Sequence, residues 1–230
     1  PLPDPEAETP PLSVAQQEAA DELVTAVKDK TFSVTLLEGI TGSGKTEVYA
    51  HAIRQALREG KQVLVLMPEI ALTTQMLARF TILFAAEPVQ WHSELAHGTR
   101  QRIWRQVARG EAKIVLGARS ALFLPFHDLG LIVVDEEHDG GYKQEEGVSY
   151  HARDMAVVRG QMVGAPVILA SATPSLETEV NVRQGKYRKV FLPDRHANAQ
   201  LPTIHLVDLL KSKPERGRYL APASIAAVRE

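Results

Sequence analysis

The segment from Gly39 to Thr46 reads G-I-T-G-S-G-K-T, which places glycines, a lysine and a hydroxyl at a characteristic spacing. Glycine lets the backbone turn tightly and approach an anion, because it carries no Cβ. Successive backbone N–H groups and the start of a following helix then form a cradle for phosphate. In this spacing the lysine reaches the β- and γ-phosphates and the hydroxyl is a ligand for Mg²⁺. The predicted phosphate-binding residues are Gly42, Ser43, Gly44, Lys45 and Thr46.

A second chemical segment, residues 135–138 (D-E-E-H), directly follows the apolar run at 129–134. Acidic residues at the end of a buried strand, downstream of a phosphate-binding loop, are what hydrolysis of a Mg²⁺-bound triphosphate requires. The Asp135 carboxylate would hold Mg²⁺ directly or through water. Glu136 would orient or deprotonate the attacking water, so that both residues join Lys45 as catalytic candidates. The alternatives are a surface acidic turn or a metal cluster of these carboxylates with the histidine.

Gln16 is a candidate for recognition of the base. A glutamine amide is able to pair with both the N6 donor and the N7 acceptor of adenine. Gln16 falls near the start of a predicted helix that has Ser13 as its N-cap and runs to about Lys30. Its position upstream of the phosphate-binding loop favours ATP as the nucleotide, although a surface glutamine on a helix is the simpler interpretation.

Residues 139–154 combine glycines, aromatic rings and positive charge. Tyr142 and Tyr150 could stack on bases, and Lys143 and Arg153 could neutralise a nucleic-acid backbone. The position directly after the acidic segment would allow contact with DNA to reach the ATP site. From composition alone, a flexible surface loop is the favoured interpretation.

Two further predicted strands end in residues that could contact ligands. Arg119 follows a strand at 113–116, where it could hold a nucleic-acid phosphate or form a structural ion pair. Ser171 and Thr173 follow a strand at 166–170. Their hydroxyls could hydrogen-bond to the acidic segment and transmit its state. A simple turn before a helix capped by Ser175 is the alternative.

The elements that must position these residues alternate along the chain. Predicted strands at 32–37, 62–67, 129–134 and 166–170 are separated by segments with helical periodicity. This alternation predicts an α/β fold with a mostly parallel sheet, right-handed crossovers and helices on both faces. Ligands bind at the carboxyl ends of the strands in such sheets, and every candidate segment above except the helix with Gln16 follows a strand.

The ends of the chain predict a larger protein. Residues 1–11 contain five prolines, a composition typical of a linker, and the first residue is not methionine. We assign residues 12–192 to one ATP-binding lobe. Residues 193–230 would be a connector and the start of a truncated second lobe, because the helical pattern near the end has no cap.

Composition excludes some classes of protein and of site. The chain has no cysteine, so these residues form neither a disulfide nor a thiolate zinc site. No apolar run is long enough to cross a bilayer and no signal-peptide pattern is present, which is compatible with a cytoplasmic protein. The net charge of −2 means that any contact with DNA must come from a local patch.

The order of these segments resembles the first motor lobe of superfamily 2 helicases of the D-E-x-H kind. Within that group, the chain is similar to the bacterial primosomal replication-restart helicases over residues 12–192. The shared motifs are G-I-T-G-S-G-K-T-E-V-Y, M-P-E-I-A-L-T, L-G-L-I-V-V-D-E-E-H-D, Y-H-A-R-D and S-A-T-P-S-L-E-T. The resemblance implies a RecA-like lobe of a 3′-to-5′ DNA helicase that uses ATP and Mg²⁺.

The resemblance also implies residue roles and partners. Gln16 matches the adenine-reading motif, while His138, Ser171 and Thr173 match elements that couple hydrolysis to motion. Residues 142–153 match a loop that links DNA binding to hydrolysis. The implied partners are forked and single-stranded DNA, other primosome proteins and the single-stranded DNA-binding protein. Zinc and the arginine finger are expected only in parts outside this chain. A RecG-type branched-DNA translocase and a nucleotide-gated DNA-binding module remain alternatives.

Overall fold

The computed structural model describes residues 2–193, 206–209, 211–214 and 217–229. The chain divides into two compact units, Pro1–Asn198 and Ala199–Glu230. None of the helices in the part of the chain that the structure describes is both long and apolar enough to cross a membrane.

The first unit alternates helices and strands. In chain order these are α1 Val14–Lys28, β1 Val34–Gly39, α2 Lys45–Arg58, β2 Gln62–Leu66, α3 Thr74–Phe84, β3 Val89–Trp91, α4 His97–Ala108, β4 Ile114–Gly117, β5 Leu129–Asp135, β6 Lys143–Gln144, β7 Tyr150–His151, α5 Ala152–Val163, β8 Val167–Ser171, α6 Leu176–Arg183 and β9 Arg188–Leu192. Short 3₁₀ turns occupy Glu69–Ala71, Arg119–Phe123 and Gly140–Tyr142. In the second unit, the helix α7 spans Pro222–Arg229. The sequence of residues 203–207 also favours a strand, but this segment falls mainly outside the described residues.

Within the described residues, seven strands form one parallel sheet in the order β3-β4-β2-β5-β8-β1-β9, while β6 and β7 form a separate antiparallel pair. Strand β8 lies between β5 and β1. Its register pairs Ala170 with Asp135 on one side and Ser171 with Glu38 on the other. The loops that follow β1, β5 and β8 therefore leave the sheet side by side, at the edge where α/β proteins bind ligands.

The sheet is buried on both faces, as the nearly continuous apolar strands predict for a parallel sheet. On β2, Val63 and Val65 belong to a cluster with α1, α2 and α3, whereas Leu64 and Leu66 belong to a second cluster with α4 and α5. Residues one apart on a strand point to opposite faces, which explains this division. The prediction of an α/β fold with helices on both faces of a parallel sheet is confirmed.

The predicted helix starts are confirmed at two positions and shifted at a third. Ser13 caps α1 in a reciprocal box with Gln16, and Ser175 caps α6 through the Thr178 amide. The apolar pattern of residues 71–84 also predicts a helix, which in the structure begins at Thr74. Thr73 supplies its N-cap after the 3₁₀ turn, because this hydroxyl accepts a bond from the Met76 amide.

The proline-rich residues that we predicted to be a linker contact the lobe. The Asp4 amide donates to the Phe84 carbonyl at 2.8 Å. Glu6 forms a two-point ion pair with Arg58 of α2, with N···O distances of 2.6 and 3.1 Å.

The buried side-chain amide of Gln62 connects the start of β2 to three other segments of the chain. Gln62 is fully buried, and its Nε2 donates to the carbonyls of Val107 and Ala112 at 3.1 and 2.8 Å. Its Oε1 accepts from the amides of His127 and Asp128 at 2.8 and 3.0 Å. These four bonds use the whole hydrogen-bonding capacity of the side chain.

Replacement of Gln62 by Met should therefore destabilise the fold although the side chains are similar in size. Backbone groups left without partners each cost about 1–3 kcal/mol, so we expect a loss of roughly 3 kcal/mol in the free energy of unfolding. Urea denaturation would measure it. The matched control is Gln17→Met on the exposed face of α1, for which we expect a change under about 0.5 kcal/mol. Equal losses in the two variants would contradict the prediction.

Candidate nucleotide-binding site

The loop between β1 and α2 has the backbone geometry of a phosphate cradle. Gly42 and Gly44 have φ angles of +82° and +84°, in the left-handed region that favours glycine. Gly44 directly precedes α2, and no side chain caps that helix. Its first N–H groups are therefore directed at the loop, where the helix also contributes its positive end. A Cβ on Gly44 would lie 2.3 Å from Gln16 Nε2, so a larger residue here would adopt a strained conformation and displace that amide.

Two side chains of the loop have polar groups suited to phosphate. The Ser43 hydroxyl is buried and, among the described residues, has no hydrogen-bond partner. Lys45 is largely buried at the start of α2, and its ammonium donates to the Gly39 carbonyl at 2.8 Å. A buried hydroxyl left unsatisfied is rare in proteins, and together with the ammonium and the uncapped helix it fits a bound anion. The loop residues therefore fit a triphosphate.

Gln16 lies against this loop from α1. Its side chain is only 3% exposed. Its Nε2 donates to the Ser43 carbonyl at 2.8 Å, and its Oε1 accepts from the Ser13 amide at 2.9 Å. The structure thus joins Gln16 to the phosphate-binding loop, a contact that the sequence analysis did not anticipate. Adenine recognition by this amide stays a prediction.

The backbone of the acidic segment directs its three carboxylates to different environments. Glu136 has a φ of +48°, an uncommon conformation for a residue with a side chain. Its amide turns back and donates to Asp135 Oδ1 at 3.0 Å. As a result, Asp135 lies at the end of β5 with 7% exposure and the Glu136 side chain is 42% exposed, whereas Glu137 is completely buried.

The Asp135 carboxylate is buried but well supplied with partners. Tyr49 of α2 donates its hydroxyl to Asp135 Oδ2 at 3.0 Å. Burial, and after it the nearby Glu136 charge, raise the pKa of Asp135 to about 6. The hydrogen bonds from Tyr49 and the Glu136 amide, together with the Lys45 charge, lower this pKa and offset part of the effect. The loop lysine and this carboxylate follow strands β1 and β5, which lie on either side of β8.

The residues predicted to couple hydrolysis to motion form a connected group beside Glu136. His138 Nδ1 lies 2.7 Å from Ser171 Oγ and 3.6 Å from Glu136 Oε2. Ser171 Oγ also accepts from the Thr173 amide at 3.0 Å. The contact between His138 and Ser171 is possible because β8 pairs with β5 in the sheet. The structure thus brings His138, Ser171 and Thr173 to the candidate base, while their roles stay predictions.

Glu137 is the centre of a buried network that the sequence analysis did not identify. It accepts from the Arg153 guanidinium at 3.2 Å, from the Ser175 amide and hydroxyl at 2.7 and 3.0 Å, and from the Thr178 hydroxyl at 3.0 Å. Its carboxylate is therefore fully engaged by partners from α5 and from the start of α6. Accordingly, among the described residues no three His, Asp or Glu side chains are arranged as a metal cluster.

The structure corrects two of the predicted DNA contacts. Tyr142 is completely buried, and its hydroxyl donates to the carbonyls of Leu66 and Asp135 at 3.0 and 2.5 Å. Arg153 is also buried, in the ion pair with Glu137. Neither side chain is available to stack on a base or to neutralise a backbone phosphate. At these two positions, the side chains instead attach the surrounding segment to the rest of the lobe.

The other predicted DNA contacts lie in accessible positions. Lys143 is exposed and pairs with Glu145 at 2.7 Å. Arg119 donates to the Lys143 carbonyl, and these residues line a surface groove of about 470 Å³. Tyr150 is half-buried, with its ring 5.3 Å from that of Phe123 in an edge-to-face arrangement. Contact of Arg119, Lys143 and Tyr150 with DNA stays a prediction.

Comparison with known proteins places these features in a family context. Residues 13–182 match the DEAD/DEAH box helicase family. The chain is 45% identical to the replication restart protein PriA of Rickettsia felis, covering 96% of the chain and 33% of that protein. It is 47% identical to PriA of Chlamydia pneumoniae, covering 86% of the chain and 27% of that protein. It thus spans about a third of the length of these relatives.

A solved structure confirms the RecA-like fold. The structure of RecG bound to a three-way DNA junction superposes with a TM-score of 0.60 at 22% identity. The similarity covers 80% of this chain and 24% of that one. At this identity the likeness is one of fold.

Substitution of Arg153 by Met should test the buried network. The change leaves the Glu137 carboxylate buried without its cationic partner, which typically costs about 3–5 kcal/mol. We expect a loss in this range in the free energy of unfolding, measured by urea denaturation. The matched control is Arg183→Met on exposed α6, with an expected change under about 0.5 kcal/mol. A loss for Arg153→Met no larger than that of the control would contradict the proposed network.

The raised pKa of Asp135 predicts a pH-dependent difference between the wild-type chain and Asp135→Asn. The pKa of this carboxyl is 3.8 in its ordinary environment and about 6 in the folded chain, so its ionisation destabilises the folded state progressively between about pH 4 and pH 6 and by a constant amount at higher pH. From pH 4 to pH 8, the stability of Asp135→Asn should rise relative to the wild type by about 2.4 kcal/mol, with most of the rise below pH 6. Denaturation at several pH values would measure this, and a pH-independent difference would contradict it.

Proposed function

This chain belongs to the DEAD/DEAH box helicase family, and we propose that it is the ATP-binding motor lobe of a 3′-to-5′ DNA helicase that acts in replication restart. The observation that best supports this proposal is the order of three neighbouring strands. Strands β1, β5 and β8 place side by side the phosphate-binding loop, the acidic segment and the segment that contains Ser171 and Thr173. The similarity to proteins named replication restart protein PriA supports the restart assignment.

The residues of the site divide the work of ATP hydrolysis. The loop amides, Ser43 and Lys45 would bind the phosphates, while Gln16 would contribute to adenine recognition. Thr46 and Asp135 would hold Mg²⁺, which when bound supplies positive charge to the phosphate oxygens. Two protein ligands are typical for this ion, because it retains several waters.

Glu136 is the proposed general base. Its carboxylate is half-exposed and lies beside the Mg²⁺-binding carboxylate, so it would orient a water and accept its proton. His138 and Ser171 contact each other next to this carboxylate. A displacement of the segment after β8 would therefore change the surroundings of the base, which is how hydrolysis would be coupled to motion.

DNA is the proposed partner of the surface beside this site. Arg119 and Lys143 would contact the phosphates of single-stranded or forked DNA, and Tyr150 would stack on a base. Other primosome proteins and the single-stranded DNA-binding protein are proposed partners of the longer protein, in the cytoplasm. The likeness to RecG extends to the fold alone, so it does not favour a branched-DNA translocase.

This chain should bind nucleotide but hydrolyse it slowly. In related P-loop enzymes an arginine finger raises the rate by about 10³–10⁵. In helicases of this kind that arginine comes from a second lobe. Turnover should therefore be measured in a protein of the relatives' length, and binding in this chain as well.

Two substitutions should separate binding from turnover. Lys45→Ala should weaken binding of a non-hydrolysable ATP analogue by at least about tenfold, because it removes the positive charge that meets the β- and γ-phosphates. Glu136→Gln should retain analogue binding but lower the rate of hydrolysis by about 10²–10⁴. Calorimetry and steady-state phosphate release would measure these effects. Lys28→Ala and Glu22→Gln on the exposed face of α1 are matched controls. Full turnover by Glu136→Gln would exclude its role as base.

A further inference from the structure

The hydroxyl of Tyr49 lies at the centre of the site, although no motif role accounts for it. Tyr49 belongs to α2, and its side chain is completely buried in the cluster on that face of the sheet. The hydroxyl reaches out of this apolar cluster and donates to Asp135 Oδ2 at 3.0 Å. A buried tyrosine hydroxyl usually has a hydrogen-bond partner. Here the partner is a carboxylate of the proposed catalytic site and not a purely structural group.

Helical geometry places Tyr49 beside the other proposed ligand of Mg²⁺. Thr46 and Tyr49 are three residues apart on α2, so their side chains lie on one face of the helix. Burial raises the pKa of Tyr49 well above its ordinary value, and the nearby Thr46 hydroxyl acts in the opposite direction. Tyr49 therefore lies between Thr46 and Asp135, which come from different strand–loop units.

The two donors on Asp135 hold its carboxylate from both sides. The Glu136 amide donates to Oδ1 and Tyr49 donates to Oδ2, at 3.0 Å each. Each oxygen accepts one of these bonds and retains a lone pair for a further ligand. The orientation of the carboxylate is thus set by the backbone of β5 and by a side chain of the phosphate-binding helix.

We propose that Tyr49 is a positioning residue for Mg²⁺, because its hydroxyl aims the Asp135 carboxylate at a cation held beside Thr46. This inference rests on the proposed function and goes beyond it by naming a residue outside the ligand set. Partners of ligating carboxylates set their orientation and affect metal affinity, typically by about 10–100-fold when removed.

The test is the substitution Tyr49→Phe, which keeps the buried ring and removes only the hydroxyl. Mg²⁺ is titrated into this chain with a fluorescent, non-hydrolysable ATP analogue, and analogue binding is also measured in EDTA. We expect the Mg²⁺ concentration at half-saturation to rise about tenfold. Affinity for the analogue in EDTA should stay within about twofold of wild type, because the phosphate-binding loop is unchanged. Tyr187→Phe, far along the chain near β9, is the matched control and should match wild type.

A double-mutant cycle shows whether Tyr49 acts through Asp135. In the Asp135→Asn background, the added Tyr49→Phe change should cause no further loss of Mg²⁺ dependence, because the two residues act as one unit. Additive losses would overturn the proposal. So would a wild-type Mg²⁺ dependence in Tyr49→Phe, or an equal loss of affinity in EDTA, which would indicate damage to the phosphate-binding loop.

A second measurement covers the case in which Tyr49→Phe does not fold. 3-Fluorotyrosine is placed at position 49 of the otherwise unchanged chain, and its ¹⁹F resonance is followed as Mg²⁺ is added to the analogue complex. A shift that saturates with Mg²⁺ binding supports the proposal, and an unchanged resonance overturns it. If the wild-type chain shows no Mg²⁺-dependent binding of the analogue, both the proposed function and this inference fail. A normal wild type with an unaffected Tyr49→Phe overturns the inference alone.

Discussion

The parallel pairing of β8 with β5 on one side and with β1 on the other is the constraint on which the site depends. It sets Ala170 opposite Asp135 and Ser171 opposite Glu38, so three strands end at the same level. Groups far apart in the chain become neighbours for this reason alone. The contact of His138 with Ser171, and the effect of the Lys45 charge on Asp135, are direct consequences. A slip of one residue in this pairing would reverse which side chains face each cluster.

In the acidic segment, three similar carboxylates lie in three different environments. Glu136 has a left-handed conformation, its amide donates to Asp135, and the carboxylate of the next residue lies inside the protein. Glu137 is then buried, where an unpaired charge would be prohibitive, and Arg153 with the hydroxyls of Ser175 and Thr178 compensates it. Asp135 is thereby available to a metal ion and Glu136 to water, whereas Glu137 stabilises the fold.

The same network explains the position of residues 139–154. Tyr142 attaches one end of this segment to the Asp135 carbonyl, and Arg153 attaches the other end to the Glu137 carboxylate. The short antiparallel pair β6–β7 lies between these two anchors and carries Lys143 and Tyr150. The β6–β7 pair and the acidic segment are therefore parts of one hydrogen-bonded unit. This geometry gives a physical basis for the proposed communication between bound DNA and the ATP site.

The sequence alone determined what depends on local chemistry. The phosphate-binding loop, the apolar strands and the caps Ser13 and Ser175 are each specified by residues within a few positions, so their pattern was sufficient to predict an α/β fold and the ligand edge. The partners of Gln62, Tyr49 and Glu137 were decided by tertiary structure, because each lies on a segment distant in the chain. Tyr142 illustrates the reason. A tyrosine ring is equally suited to a core or to a nucleic-acid base, and only packing of the strands around it decides which environment it occupies.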